Sequence, residues 1–205
     1  MILDAAQQVL LAQGVQGATM QAVACAAGMS KRTVYTVFDG REALFSALIR
    51  RLRETFIAPL ALDQQALPLP DRLRLLLAPE RGACTDEVPL EVLRAVVAEA
   101  PRHPSMAESF LEEGPRAIRR LIQAELERAV ARGEIALADP AAAAALLHNM
   151  ALPCPFEKLL SGAQAMPAPE EVRARVDHAV AVFLNGAAGA ERAPVAVTAV
   201  SDATP

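Results

Sequence analysis

Tryptophan is absent from this 205-residue chain, tyrosine occurs once and phenylalanine six times, so aromatics make up only 3% of it. The apolar share is nonetheless 53%, and alanine supplies much of it. A chain rich in Ala, Leu, Arg and Glu, with apolar residues at helical periods, predicts an all-α fold. Cysteine is sparse too. Cys25, Cys84 and Cys154 have no metal-ligand spacing and form no disulfide framework. His103, His148 and His178 are scattered over three segments, without the i, i+4 spacing of a helical metal pair. No metal or other cofactor is expected. No glycine-rich phosphate loop or nucleophile–base pairing stands out, which argues against an enzyme on an all-α scaffold. The sequence shows no signal peptide and no apolar run of membrane-spanning length. The expected setting is a reduced cytoplasm, without a membrane partner.

What is present is concentrated between Thr19 and Phe38, TMQAVACAAGMSKRTVYTVF. The stretch reads as two short helices joined by a tight turn. Thr19 is placed to cap the first helix, in which Met20, Val23 and Ala24 recur at helical spacing, and Gly28 ends it. Ser30 is placed to cap a second helix that runs to about Phe38. Val34 and Phe38 turn inward, leaving Lys31, Arg32, Thr33 and Tyr35 as an outward, donor-rich face. A helix entering a major groove needs this arrangement. The net charge of −4 alone would argue against nucleic acid, but its distribution reverses that reading. Residues 1–53 hold six basic side chains against three acidic ones, and the remainder holds fourteen against twenty-one. A basic head on an acidic body suits a head that meets phosphate while the body stays off it.

The first fifty residues resemble the N-terminal domain of the TetR family of transcriptional regulators. The matching positions are Ile2, Ala5 and Ala6, Gly14, Thr19, the run Ala27-Gly28-Met29-Ser30, Tyr35, Phe38, and Arg41-Glu42-Ala43-Leu44. The pattern SKRTVYTVF…REALF is similar to the AefR-like branch. The resemblance implies a homodimeric repressor that binds a palindromic operator in double-stranded DNA and is released by a small-molecule inducer. It further implies that Lys31, Arg32, Thr33 and Tyr35 contact bases or nearby phosphates. Thr19, Ser30 and Arg41 match positions that hold phosphates. Tyr35 can also pack its ring while its hydroxyl reaches out. Thr36 and Val37 stand where the family commonly carries an aromatic and a His, which puts any phosphate contact from position 37 in doubt. The chain begins directly at its first helix, so no basic N-terminal arm is expected.

The expected organisation is a helix-turn-helix domain at 1–53, a helical ligand-binding and dimerisation domain at 54–187 and a loose tail at 188–205, about nine helices in all, the first over residues 1–13 and the last from Glu170 to about Leu184. Leu90, Leu93 and Val97 are expected on one face of a helix over 86–100. Gly114-Pro115 is expected to break the chain before a long helix closing at Gly133. Asp139-Pro140 opens a helix through Leu160 that Pro153 and Pro155 kink or split. In the family the last two long helices of each subunit pair into a four-helix interface. Ala141, Ala144 and Ala151, with His148, are assigned to that partner, and Leu146, Leu147 and Met150 to the body.

Glu125 falls within an apolar stripe formed by Ile118, Leu121, Ile122, Leu126 and Ala129. A carboxylate there needs a partner. Two readings remain open: an internal ion pair with Arg94 or Arg116, or an anionic anchor in a ligand cavity. The walls of that cavity would include Leu93, Val97, Met106, Phe110, Leu147, Met150 and Phe156. An apolar ligand bearing a cation or donor would suit it. Alternative gating is by a protein partner or by thiol oxidation, where Arg81 near Cys84 or Lys158 near Cys154 would supply positive charge.

Overall fold

Helical periodicity and capping chemistry place most of the elements. The computed structural model describes residues 1–57, 59–78, 88–152, 154, 159–160 and 168–189. Among these there are no strands. The helices are α1 (Ile2–Gly17), α2 (Met20–Ala26), α3 (Lys31–Val37), α4 (Arg41–Phe56), α5 (Leu69–Leu77), α6 (Val88–Glu99), α7 (Pro104–Leu111), α8 (Ala117–Ala131), α9 (Pro140–Ala151) and α10 (Pro169–Gly189).

Several starts follow the side chains read from the sequence. Thr19 Oγ1 accepts the Ala22 N–H, Ser30 Oγ accepts the Thr33 N–H, and Asp139 Oδ1 accepts the N–H groups of Ala141 and Ala142. Each cap satisfies donors that a helix start leaves open.

The helical path departs from expectation in four places. α1 does not stop at residue 13; it resumes after Gly14, whose positive φ of 66° only glycine adopts without strain. Gly114-Pro115 does not break the chain. A π-helical turn over Glu112–Arg116 carries α7 into α8, absorbing the N–H that Pro115 lacks. α9 ends at Ala151 rather than Leu160, and Pro153 and Pro155 lie outside the described residues. α10 continues to Gly189, beyond the expected end near Leu184.

Two apolar cores form. One gathers Ala6, Leu10, Val23, Val34, Phe45 and Leu48 from α1–α4 together with Val92, Val96 and Met106 from α6 and α7. The other gathers Ile57 and residues of α5, α8, α9 and α10. α6 and α7 therefore pack onto the head and not into the second core. This changes the inward face expected of α6: Leu90, Val92 and Val96 are buried, Leu93 is half-buried, and Val97 is 56% exposed.

Candidate nucleic-acid interface and regulatory body

The turn before α3 is set by Gly28, at φ 65°. The Met29 N–H reaches back to the Ala24 carbonyl at 2.9 Å, closing α2. α3 then seats Val34, fully buried, against the head core, while Lys31, Arg32, Thr33, Tyr35, Thr36 and Val37 are exposed. The Ser30 and Thr33 hydroxyls lie 2.8 Å apart, so both serve the cap. The Lys31 ammonium lies 5.8 Å from the centre of the Tyr35 ring, within cation–π range, and this leans the two side chains together. Tyr35 is 44% exposed, so its ring packs on one side and meets solvent on the other. Arg32 is exposed, with no hydrogen-bond or ion-pair partner among the described residues.

Of the expected DNA-facing side chains, Arg41 is placed differently. It is half-buried and its guanidinium donates to the Val15 carbonyl in the irregular last turn of α1, while its Nε is buried without a partner. Arg41 thus ties α4 to the α1–α2 corner in this conformation. Thr36, not among the DNA contacts expected from the sequence, lies two residues past buried Val34, about 200° around the helix and opposite the core. That spacing was readable in the sequence.

In the body, Glu125 is 1% exposed and is paired, but not with Arg94 or Arg116. Its Oε1 accepts from Arg72 Nε at 2.6 Å, and Arg128 Nη2 lies 2.7 Å from its Oε2. Arg72, also 1% exposed, gives its remaining donors to Leu67 O and to Glu134. The hydrogen bond from Arg72 holds the Glu134 carboxyl below the usual Glu range. Arg116 is engaged with Glu108 and Glu112 instead. The partner was missed because Arg72 is 53 residues away from Glu125, with no periodic relation to it.

The residues expected to wall one cavity are not brought together. Met106 and Phe110 belong to the head core and Leu147 and Met150 to the second core, Val97 faces outward, and Phe156 lies outside the described residues.

The face assigned to a partner on α9 also changes. Ala144 and Ala151 are buried within the chain, packed in the second core, whereas Ala141, Ala142, Leu146 and Asn149 are exposed. His148 is half-buried; burial lowers its imidazole pKa, and its Nδ1 lies 3.2 Å from Asn149 Oδ1. Leu147 does face inward as expected, but Leu146 is 62% exposed. The neighbouring α10 exposes Ala174, His178, Ala181 and Val182. Cys25 and Cys154 are exposed, and Cys84, Arg81 and Lys158 lie outside the described residues.

Polar contacts join head and body. Arg50 on α4 makes a two-pronged ion pair with Glu113 of the π-turn, at 2.7 and 3.0 Å, and this hydrogen bonding lowers the Glu113 pKa. Gln16 of α1 reaches Glu99 Oε2 and His103 Nε2, each at 2.8 Å. No helix among the described residues is long and apolar enough to cross a membrane.

Residues 2–48 match the family model described as bacterial regulatory proteins, tetR family. Residues 72–186 match that of the AefR-like transcriptional repressor, C-terminal domain. No curated protein matches the chain. Solved structures do. One is the flavonoid-responsive regulator FrrA, at 27% identity and a TM-score of 0.65, covering 90% of this chain and 94% of that one. A TetR transcriptional regulator from Agrobacterium tumefaciens matches at 26% identity and 0.64, covering 90% and 91%. A protein from Mesorhizobium loti assigned to the TetR family matches at 25% identity and 0.69, covering 90% and 94%.

Proposed function

This chain belongs to the TetR family of bacterial transcriptional regulators, and from that premise we propose how its parts divide the work of a ligand-responsive repressor. The observation that carries the reading is α3 itself. It is a capped helix with one buried anchor, Val34, and a solvent face bearing two cations and a phenol. In the proposed complex Arg32 meets base edges, since a guanidinium with no partner among the described residues has its fork of donors available. Lys31, Tyr35 and the cap residues Thr19, Ser30 and Thr33 meet bases or the adjoining phosphates. Arg41 acts indirectly, by holding α4 against the α1–α2 corner.

Two heads on one two-fold dimer require a roughly palindromic operator. The dimer is proposed to form through the exposed ridge of α9 and α10, with Leu146 and Val182 as its large apolar side chains. A small, largely apolar inducer is proposed to bind the body and favour a spacing of the heads that cannot straddle the operator. Only a difference in affinity between the two spacings can shift that balance. FrrA is flavonoid-responsive by name, so planar flavonoids form the first panel of candidate inducers.

Selection of random duplex DNA by the full chain at moderate salt tests the reading. The expected product is a two-fold motif whose binding weakens steeply as salt rises and is released by a compound that also raises the melting temperature. Enrichment of no motif would overturn it.

A further inference from the structure

The recognition face of α3 changes character along its length. Its first turn carries the charges of Lys31 and Arg32. Its second turn carries Thr36, at the centre of the outward face, and beside it Val37, 59% exposed. Thr36 looks polar in the sequence, but its hydroxyl is already used: Oγ1 donates to the Thr33 carbonyl one turn back, at 2.6 Å. A β-branched side chain held this way has little χ1 freedom left. The substituent it keeps for an outside contact is the γ-methyl, with only the lone pairs of the oxygen as a polar alternative. Val37 adds methyl groups and no donor.

We propose that Thr36 is a specificity-determining residue that reads the 5-methyl group of a thymine through its own γ-methyl, with Val37 widening the apolar patch. This rests on the DNA-binding reading given above. In the major groove only thymine, among the four standard bases, displays such a methyl, and threonine methyls are among the side-chain groups that meet it. The first turn of α3 then selects by hydrogen bonding from Arg32, and the second by an apolar contact that tolerates no hydrated edge.

The test takes the motif obtained with the full chain and replaces each thymine of one half-site in turn by deoxyuridine. That keeps every hydrogen-bonding group and removes only the methyl. Affinity is read by fluorescence anisotropy. One thymine is expected whose replacement weakens the native protein about fourfold, the worth of one methyl group kept from water. Thr36→Ser keeps the hydroxyl and loses the methyl, so its preference for the thymine operator should fall well below that of the native protein. Thr36→Val keeps a methyl and loses the hydroxyl, and should still prefer thymine. The inference is overturned if no thymine in the selected half-site responds, if the half-site contains none, or if Thr36→Ser discriminates as the native protein does. Failure of selection to enrich any motif removes the DNA-binding reading itself, and this inference with it. A motif without methyl dependence removes only the inference.

Discussion

At the scale of the residue, the buried pair of Arg72 and Glu125 governs what the body can do with charge. Two ions at 1% exposure each are costly to desolvate, and they are tolerated because the Arg72 donors are shared among Glu125, Glu134 and the Leu67 carbonyl. A carboxylate so engaged is a clasp between α5 and α8, not a free anchor for a cationic ligand. Glu125→Gln should therefore cost on the order of 3 kcal/mol of stability, since it leaves part of the Arg72 charge uncompensated in an apolar core. The double replacement Arg72→Met with Glu125→Leu should cost less than that single change. Urea unfolding monitored by circular dichroism decides. A Glu125→Gln midpoint equal to the native one would mean that the pair carries no weight.

At the scale of the element, α9 shows why alanine is ambiguous. It favours helix wherever it stands, so its periodicity does not say which side meets a partner. Ala143, Ala144, Leu147 and Ala151 are buried inside the subunit, and the outward ridge carries Leu146 with Ala142 and Asn149. Small residues permit close helix approach; here that approach is to the subunit's own helices. Leu146→Glu should accordingly give a folded monomer in sedimentation at micromolar concentration. Ala144→Glu would instead place a carboxylate in the core and lower the melting temperature before any effect on assembly. A Leu146→Glu protein that remains a dimer would reject the ridge as the interface.

At the scale of the whole molecule, head and body share packing. Val92, Val96 and Met106 lie in the same core as Leu10 and Leu48, and Arg50–Glu113 and Gln16–Glu99 bind the same surfaces from outside. A change in α6, α7 or the π-turn is thus felt by α1 and α4, which share one core with Val34 of α3. A fragment of residues 1–53 would expose the apolar surface that α6 and α7 cover, at about 25 cal/mol for each Å² returned to water. It should therefore show no cooperative thermal transition, whereas the full chain shows one. A fragment that melts cooperatively near the temperature of the full chain would show that the head core is self-sufficient.

The sequence by itself determined the helix-turn-helix. Its signals act within a few residues: Gly28 for the turn, Ser30 and Thr19 for the caps, Val34 as the buried anchor and the charged face opposite it. The all-α character and the start of α9 at Asp139-Pro140 were legible for the same reason. The pairing of Glu125 with Arg72, the inward turn of Arg41 and the continuity of α7 into α8 through Pro115 were decided by tertiary structure. So were the attachment of α6 and α7 to the head and the choice of face on α9. Each depends on which surfaces meet across tens of residues. Helical periodicity states that a face is apolar or that a carboxylate lies within it, but the partner that covers the face or neutralises the charge is supplied by packing.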